Sequence, residues 1–503
     1  MPEYVAILDF GSQYTKLIAR RIRELGVKSL ILPFNTSIKR LKTAKGLILS
    51  GGPFSVYDHN APLPDREIFD LSLPILGICY GLQAIGHLLG GKVVPSQKRE
   101  YGIAYFVRKK DKIFHGIPKR SSVWMSHGDR LEILPPGFTP IGFTENSPYA
   151  AIRKGDIYGL QFHPEVAHTA FGTRMLKNFI YRICKARGEW GIEGILMGAE
   201  KELKKIKDGR AILALSGGVD SSVCAVLSKK ILGERVYPVL VDTGLLRHRE
   251  AEFVKKNLGK IGVEIKVVDA SKTFIDALQG VKDPEKKRKI IGHKFIEVFE
   301  GEAKKVEAKY LIQGTLYPDR IESAGVPGPS KTIKSHHNVG GLPEKMNLQL
   351  VEPLKELFKD EVRMISKELK LPRSFYMRHP FPGPGLAIRI IGNVTERKLK
   401  ILKRVDEIYI NELKRHKLYD KIWQAFAVLL PIKTVGVMGD HRTYEYVVAL
   451  RAVCSRDGMT ADFYPFKPDF LTLVSNKILN TVKGVNRVVF DISSKPPATI
   501  EWE

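Results

Sequence analysis

The sequence predicts an α/β protein in which two doubly wound, mostly parallel sheets are followed by a small α+β domain. Short apolar runs alternate with helical patterns up to residue 188, and the same alternation returns within residues 189–382. From residue 383 onward the order changes to helix, strands, helix, strand. A chain of 503 residues is long enough for about three domains with separate cores. We therefore expect domains over residues 1–188, 189–382 and 383–503.

The first domain is predicted from a regular succession of strands and helices. Apolar runs at Tyr4–Leu8, Gly46–Leu49 and Pro74–Ile78 have the length of buried parallel strands, and Thr15–Leu25 and Gly81–Leu89 carry helical patterns. The chain opens on a buried strand and not on a signal peptide, and no apolar stretch approaches the length of a membrane helix. We therefore expect a cytoplasmic protein without a membrane partner.

The other two domains are predicted in the same way. A linker helix is expected around Glu189–Lys207. Strands are predicted over Ala211–Leu215, Val236–Val241, Glu264–Val268, Tyr310–Gln313, Thr434–Val437, Thr443–Val453 and Arg487–Ile492, and helices over Glu250–Ile261, Thr395–His416 and Pro468–Thr481. The stretch Ile321–Met346 is rich in Gly, Pro, Ser and Lys with little periodicity, which predicts a long mobile loop in the second domain.

The charge of the chain has two interpretations. There are 81 Lys and Arg against 54 Asp and Glu, a net charge of +27, which raises nucleic-acid binding as a hypothesis. The basic residues are scattered along amphipathic helices and form no basic arm, so a solvated surface or small anionic substrates fit as well, and we expect no nucleic-acid partner. The four cysteines are far apart, which argues against a zinc site or a disulfide framework.

A glycine-rich turn follows the predicted strand Ala211–Leu215 and precedes a helical pattern. Its residues are Ser216, Gly217, Gly218, Val219, Asp220, Ser221 and Ser222. The glycines permit a sharp turn and a close approach of the backbone to a ligand, and unpaired amides at a helix N-terminus favour an anion. No lysine precedes the final hydroxyl residue, so the turn is not a Walker loop; it resembles the pyrophosphate-binding loop of the N-type ATP pyrophosphatases. The alternative is an ordinary glycine turn that caps a helix.

A cysteine lies at the end of a predicted strand, immediately before a helix. The segment Gly77–Gly81, with Cys79 in its centre, resembles a nucleophile elbow. Helix N-terminal amides near the sulfur favour a thiolate, and we expect Gly81 to leave room for a substrate.

A histidine and a glutamate follow another apolar run. Alternation along an extended backbone would put His163 and Glu165 on the same side, so that Glu165 orients an imidazole that serves Cys79 as a base. Taken singly, Cys79 and His163 are better explained as buried core residues. Their order and their local patterns together favour the catalytic interpretation.

This arrangement is similar to that of the class I glutamine amidotransferases, which hydrolyse glutamine through a thioester and release ammonia. The resemblance implies that Cys79, His163 and Glu165 are the catalytic residues of the first domain. It also implies an oxyanion hole and a glutamine pocket, to which Gly52, Tyr80, Gln83, Ser126 and His127 contribute. Ser126–Asp129 is expected to be a loop, and an ordinary loop histidine is an equally good interpretation of His127.

The remaining motifs resemble the glutamine-hydrolysing GMP synthetase family over the whole chain. They are the segments Gln313–Asp319, Ile333–Pro343, Arg378–Leu386 and Ser494–Glu503. The resemblance implies that ATP adenylates xanthosine 5′-monophosphate (XMP), that ammonia then displaces AMP to give GMP, and that the last domain forms a homodimer. It further implies Mg²⁺ binding by Asp220, XMP contacts by Arg288, Lys495 and Glu501, and a lid that carries Lys331, Lys334, His336 and His337. Without the resemblance, residues 286–289 would be taken as a solvated basic helix face.

Two alternatives compete with this interpretation. The first is another amidating or thiolating ATP pyrophosphatase, which acts on nicotinate dinucleotide or on a tRNA base. The lack of paired cysteines and the form of the C-terminal tail count against it. The second is a basic nucleic-acid-binding protein on degenerate enzyme folds, and the intact Cys79, His163, Glu165 and phosphate loop count against that.

Overall fold

The computed structural model describes residues 3–317, 348–438, 441–455 and 460–503. These residues divide into two compact units, of which the first ends at Leu196 and the second begins at Met197. The predicted loop Ile321–Met346 lies outside the described residues. The division into three domains stays a prediction.

The first unit is built on one nine-stranded sheet. Its strands are β1 (Tyr4–Asp9), β2 (Lys28–Pro33), β3 (Gly46–Leu49), β4 (Ile75–Ile78), β5 (Lys92–Arg108), β6 (Arg120–Ile133), β7 (Thr139–Phe143), β8 (Ala151–Lys154) and β9 (Ile157–Leu160). They lie in the order β2-β1-β3-β4-β9-β8-β7-β5-β6. The pairs from β2 to β9 are parallel, and those from β9 to β6 are antiparallel. The carboxyl ends of β4 and β9 are therefore neighbours at one edge of the sheet.

Helices cover the parallel half of this sheet. The helices of the first unit are Thr15–Glu24, Ile38–Leu41, Tyr80–Leu88 and Gly172–Asn178, with a 3₁₀ turn at Arg66–Asp70 and a π-helical turn at Phe179–Ile183. Tyr80–Leu88 packs against β3, β4 and β9. Every residue of β3 and β4 is buried, which explains why their sequences are uninterrupted apolar runs.

The second unit begins with a five-stranded parallel sheet. Its strands are β10 (Arg210–Leu215), β11 (Val236–Asp242), β12 (Lys266–Asp269), β13 (Ala308–Ile312) and β14 (Gln349–Val351), in the order β12-β11-β10-β13-β14. Between residues 192 and 389, the described residues form the helices Ile192–Leu203, Val219–Leu232, Glu250–Gly259, Ser271–Ala277, Pro284–Lys305, Lys359–Glu368 and Arg373–Tyr376, with 3₁₀ turns at Gly233–Arg235 and Gly385–Arg389. Because β10 is central, the turn that follows it lies among the carboxyl ends of its neighbours, where sheets of this type bind ligands.

The C-terminal part of the second unit is an α+β structure. Its strands are β15 (Gln424–Met438), β16 (His441–Cys454), β17 (Asp462–Phe463) and β18 (Val485–Asp491), and its helices are Glu396–Arg415 and Pro468–Thr481, with a 3₁₀ turn at Tyr419–Lys421. Strand β16 pairs antiparallel with β15 and β17 and parallel with β18. One hydrophobic cluster contains Ile212 and Leu311 of the parallel sheet together with Leu402 and Leu450 of this part. The two parts therefore share a core.

The structure confirms the predicted fold class, but it contains several strands that were not predicted, among them β2, β7 and β8. The antiparallel strands β5 and β6 were not predicted, because β5 exposes Tyr101, Ile103 and Tyr105 and buries Glu100, the reverse of the usual pattern. Strand β15 is longer than the predicted Thr434–Val437. Its first residues form a fully buried apolar run, and they were not predicted because the periodicity of such a run does not distinguish a strand from a helix. Among the described residues, no helix is both long and apolar enough to cross a bilayer.

Candidate functional site

Cys79 lies at a sharp turn between β4 and the helix Tyr80–Leu88. Its backbone has φ of 51° and ψ of −104°, a conformation that L-residues rarely adopt. The residue is 5% exposed, and its Sγ lies 3.6 Å from the carbonyl oxygen of Ser126. This is the local geometry of a nucleophile at a strand-to-helix turn.

Glycines on both sides of Cys79 permit close packing of the helix on the sheet. A Cβ at Gly81 would lie 2.2 Å from the carbonyl oxygen of Leu49, and a Cβ at Gly77 would lie 2.5 Å from the carbonyl oxygen of Gly81. The role predicted for Gly81 was therefore wrong. It does not open a space for a substrate but lets the helix approach β3, and this approach positions Cys79.

His163 and Glu165 form a buried pair. His163 Nδ1–H donates to Glu165 Oε1 at 2.7 Å, and the residues are 3% and 1% exposed. They lie in the turn after β9 and not in an extended strand, so backbone alternation does not account for the pairing. The turn is held instead by the His163 amide, which donates to the Trp124 carbonyl at 3.0 Å, and by the Thr169 hydroxyl, which donates to the His163 carbonyl at 2.6 Å.

The surroundings hold the pKa of His163 well above its ordinary value. Burial by itself lowers this pKa, but the charge of Glu165 and the proximity of Cys79 outweigh the effect of burial. Cys79 and His163 meet because β4 and β9 are hydrogen-bonded neighbours, with Ile78 opposite Leu160. Glu165 therefore stabilises a protonated imidazole beside the thiol, which is what proton transfer from a cysteine requires.

The residues predicted for the glutamine pocket lie next to this pair, but not in a loop. Ser126–Asp129 belongs to β6, so the expectation of a loop was wrong. Gln83 is buried and its Nε2 donates to the Asp129 carbonyl at 2.9 Å. His127 is also buried, with Nδ1 at 2.9 Å from the same carbonyl oxygen. The Ser126 carbonyl faces Cys79, as described above, so these side chains and Cys79 surround one region.

Glu100 is a member of this group that the sequence analysis missed. Its Oε2 lies 3.1 Å from His127 Nε2 and accepts from the Ser147 hydroxyl at 2.6 Å, and Thr144 donates to its Oε1 at 3.1 Å. Burial raises the pKa of Glu100, but these hydrogen bonds and the charge of His127 lower it below the ordinary value. Glu100 follows a charged run, and no sequence signal marked it as buried.

The backbone predicted to hold an oxyanion lies beside the same pair. Tyr80 is the first residue of its helix, so its amide has no acceptor within the helix. A Cβ at Gly52 would lie 2.8 Å from the Phe10 carbonyl oxygen, and a Cβ at Gly51 would lie 3.2 Å from His163 Cε1. The glycines therefore bring this turn closer to His163 than a larger residue would allow.

The predicted phosphate loop has the strand, turn and helix that its sequence indicates. It joins β10 to the helix Val219–Leu232, and Gly217 has φ of 74°, in the left-handed region. The Ser216 amide donates to Ser221 Oγ at 3.2 Å, the Gly218 amide donates to Ser216 Oγ at 3.4 Å, and Ser222 Oγ donates to the Gly218 carbonyl at 2.8 Å. Hydroxyls and amides thus converge at a helix N-terminus, where an anion is favoured.

Asp220 in this loop has one engaged and one unengaged carboxylate oxygen. Its Oδ2 forms an ion pair with Lys359. Its Oδ1 is buried and has no hydrogen-bond partner among the described residues. Within the described part of the chain, no group of three or more His, Cys, Asp or Glu side chains could hold a metal ion. Asp220 could therefore contribute a single carboxylate ligand to a cation.

The residues predicted to contact XMP lie in two places along the chain. Arg288 is partly buried and lies 3.7 Å from Glu285, one turn earlier in the same helix. Lys495 pairs through its backbone with Ala461. Glu501 accepts from Arg389 at 2.7 and 3.0 Å, and Gln424 Nε2 donates to it at 2.7 Å.

Sequence reasoning missed two buried cations near these residues. Arg389, the partner of Glu501, is fully buried, and so is Lys287. Lys287 pairs with Glu503 and donates to the carbonyls of Ala387 and Ile390 at 3.2 and 2.8 Å. Residues 286–289 are thus not simply a solvated basic face, and the C-terminal tail is held by buried cations. The C-terminal tail carried a signal for these cations, because its carboxylates Glu501 and Glu503 require cationic partners when the tail folds against the protein.

The predicted lid residues Lys331, Lys334, His336 and His337 lie outside the described residues. Their role stays a prediction.

Comparison with known proteins places three families along the chain. Glutamine amidotransferase class-I matches residues 6–183, NAD synthase matches residues 192–291, and the GMP synthase C terminal domain matches residues 411–502. The protein named GMP synthase [glutamine-hydrolyzing] from Aquifex aeolicus (strain VF5) is 59% identical over 506 residues, covering 99% of this chain and 99% of that protein. The chain belongs to the glutamine-hydrolysing GMP synthase family.

Other relatives of the same name agree with this membership. The protein from Thermosipho melanesiensis (strain DSM 12029 / CIP 104789 / BI429) is 56% identical, and that from Chlorobium chlorochromatii (strain CaD3) is 54% identical, each over 99% of both chains. The family predicted from the motifs is therefore confirmed. The NAD synthase match spans only residues 192–291 and is explained by an ATP-using domain that the two families share.

Proposed function

We propose that the chain catalyses the ATP-dependent amination of XMP to GMP with ammonia released from glutamine. The other products are AMP, pyrophosphate and glutamate. The observation that carries the proposal is the identity of 59% with a glutamine-hydrolysing GMP synthase over 99% of the chain, which includes both the Cys79 site and the phosphate loop. The geometry of the two sites supports a separate chemical role for each.

The first role is glutamine hydrolysis. The Cys79 thiolate attacks the side-chain amide carbon of glutamine, the C–N bond breaks, and the departing nitrogen takes a proton from His163 to leave as ammonia. Water, deprotonated by His163, then cleaves the thioester to glutamate and restores the thiol. Glu165 keeps the imidazole oriented and stabilises its charge. The Gly52 and Tyr80 amides would hold the oxyanion, and Gln83, Ser126 and His127 would bind the glutamine.

The second role is adenylation followed by amination. The 2-oxygen of XMP attacks the α-phosphorus of ATP, the bond to the β-phosphate oxygen breaks, and pyrophosphate leaves. Ammonia then displaces AMP from C2 of the purine. The residues Ser216–Ser222 would bind the pyrophosphate through their amides and hydroxyls. Arg288, Lys495 and Glu501 would hold the XMP, with the cations on its phosphate, and Lys331, Lys334, His336 and His337 would close over the nucleotides.

The residues present fit Mg²⁺ as a cofactor of the second role. Asp220 Oδ1 is a buried carboxylate oxygen without a hydrogen-bond partner among the described residues, at the loop that would hold the phosphates. Mg²⁺ in ATP-using sites commonly takes one or two carboxylates and completes its shell with phosphate oxygens and water. When bound, the ion would neutralise charge on the phosphates, and Asp220 would be its ligand from this chain.

We also infer a cytoplasmic homodimer that needs no nucleic acid. The C-terminal strands β15 and β16 expose Ile432, Val435, Val437 and Tyr444, and exposed apolar residues grouped on one sheet support a protein contact there. Analytical ultracentrifugation of the purified protein tests the dimer, and a monomeric mass at micromolar concentration would contradict it.

One incubation tests the proposed reaction. The purified protein is mixed with ATP, Mg²⁺, glutamine and one of several purine nucleotides, and AMP and the aminated product are followed. We expect AMP formation with XMP and conversion of XMP to GMP, without added nucleic acid. Absence of XMP-dependent AMP would contradict the proposal.

A further inference from the structure

One arginine outside the predicted site residues contacts the phosphate loop directly. Arg378 Nη1 donates to the Gly217 carbonyl at 2.7 Å, and its Nη2 donates to Glu250 Oε1 at 2.5 Å. The Arg378 side chain is 18% exposed and that of Glu250 is 4% exposed. The guanidinium therefore joins the loop to a buried carboxylate through two separate hydrogen bonds.

The contact fixes the direction of one peptide group. In a trans peptide the carbonyl oxygen and the next amide hydrogen point in opposite directions. When Arg378 holds the Gly217 carbonyl, the Gly218 amide must point to the other side, and there it donates to Ser216 Oγ at 3.4 Å. The Gly218 amide thus faces the hydroxyls of the loop, where the phosphate is expected.

Glycine at position 217 permits both the turn of the loop and its close packing. The φ of 74° lies in the left-handed region, which glycine adopts without steric cost. A Cβ at Gly217 would lie 3.1 Å from Val254 Cγ2 and 3.3 Å from Glu250 Oε1, so the loop also packs closely against the helix Glu250–Gly259. Within the loop this peptide is held by the long hydrogen bond from the Gly218 amide to Ser216 Oγ, and Arg378 adds a shorter one at 2.7 Å.

The Glu250 carboxylate also accepts a hydrogen bond from the backbone just before its helix. The Arg247 amide donates to Glu250 Oε2 at 3.3 Å, and Arg247 Nε lies 3.1 Å from Asp406 Oδ2 in the helix Glu396–Arg415. A continuous path of polar contacts therefore runs from the loop, through Arg378, Glu250 and Arg247, to the C-terminal part of the unit.

We propose that Arg378 is a positioning residue that aims the Gly218 amide at the phosphates of ATP, with Glu250 holding the guanidinium in place. The proposal rests on the proposed function. Backbone amides that already point toward the phosphates stabilise their negative charge without reorganisation of the loop, both when ATP binds and when pyrophosphate leaves. Loss of Arg378 should therefore weaken the use of ATP and leave the binding of XMP and the hydrolysis of glutamine unchanged.

The test compares Arg378→Met with a matched control, Arg373→Met. Arg373 lines the same cavity of about 630 Å³ but pairs with exposed Asp420 at 2.8 Å. The cavity leaves room for the substitution Arg378→Met without overpacking. Hydrogen bonds to charged groups contribute enough that kcat/KM for ATP should fall roughly 10- to 100-fold in Arg378→Met. In Arg373→Met it should change by less than about twofold.

Two further readouts separate positioning from a structural role. The affinity for pyrophosphate, measured by calorimetry on the full chain without turnover, should fall in Arg378→Met, while KM for XMP stays within about twofold. Glu250→Gln, whose amide oxygen can still accept from Arg378, should show a smaller loss than Arg378→Met.

The outcomes distinguish this proposal from the proposed function. If the wild type forms AMP with XMP but Arg378→Met matches Arg373→Met, the positioning role is refuted and the function stands. An equal loss in the use of ATP and XMP, with a lowered Tm, would also refute it, because that result indicates general damage. If the wild type forms no XMP-dependent AMP but pyrophosphate affinity still falls in Arg378→Met alone, the function fails and the role of Arg378 in the loop stands.

Discussion

His163 donates from Nδ1 to Glu165 Oε1 at 2.7 Å, and the charge of Glu165 outweighs the burial that would otherwise lower the histidine's pKa. The relationship is local in sequence but depends on tertiary structure. The two residues lie in one turn, which is held by the Trp124 carbonyl from β6 and by Thr169, six residues after His163.

Replacing Cys79 with Ala should separate the two activities. Without the sulfur no thioester forms, so glutamine-dependent GMP synthesis should fall by on the order of a thousandfold or more. Synthesis from ammonium chloride should stay within about twofold of wild type, because that reaction does not use the thiol. Cys184→Ala, at a buried cysteine of the same unit, is the control. Loss of both activities in Cys79→Ala alone would contradict the division of roles.

Replacing Glu165 with Gln should lower the pKa of His163. The raised pKa stabilises the folded unit most at pH values below the unfolded value of about 6.5, and this contribution disappears as pH rises through the folded pKa. Glu165→Gln should therefore be destabilised by about 3 kcal/mol at low pH, with the difference from wild type narrowing as pH increases. NMR titration of labelled histidine and Tm at several pH values check this. A difference that widens with pH would contradict it.

Replacing Asp220 with Asn should impair adenylation. The amide keeps the size of the side chain but loses the charge that pairs with Lys359 and that a cation would need. XMP-dependent pyrophosphate release should fall at least about tenfold, and the loss should be smaller at high Mg²⁺. The control is Asp208→Asn, at an exposed residue that pairs with Lys309 at 3.4 Å. Unchanged pyrophosphate release in Asp220→Asn would remove the residue from the mechanism.

Replacing Gly81 with Ala should damage the first unit. A Cβ at this position would lie 2.2 Å from the Leu49 carbonyl oxygen, so the helix Tyr80–Leu88 must move away from β3 and take Cys79 with it. We expect a loss of about 3 kcal/mol in the free energy of unfolding and a loss of glutaminase activity. Gly198→Ala is a matched helical control, because nothing lies within 4 Å of a Cβ there. It should stabilise the protein by roughly 0.5 kcal/mol. Calorimetry on both variants distinguishes the two effects.

Much of the parallel framework could be predicted from local sequence. Strands β3 and β4 are buried on both faces and therefore consist of uninterrupted apolar residues. The turn after β10 could be predicted because it is rich in glycine and serine. The antiparallel strands β5 and β6 could not be predicted, because β5 exposes Tyr101 and Ile103 and buries Glu100. A buried carboxylate surrounded by His127 and hydroxyls from distant segments has no local signature.

Short-range patterns and long motifs were enough to predict the fold class, the family and the residue types available for catalysis. The partners of those residues became known from the folded chain. Glu165 contacts His163 in a turn that is bonded to Trp124 of β6, Gly81 permits close packing of its helix, and Arg378 contacts Gly217 across 161 residues of sequence. The physical reason is that side-chain hydrogen bonds and close backbone contacts join segments distant in the chain, and no periodicity of the sequence records them.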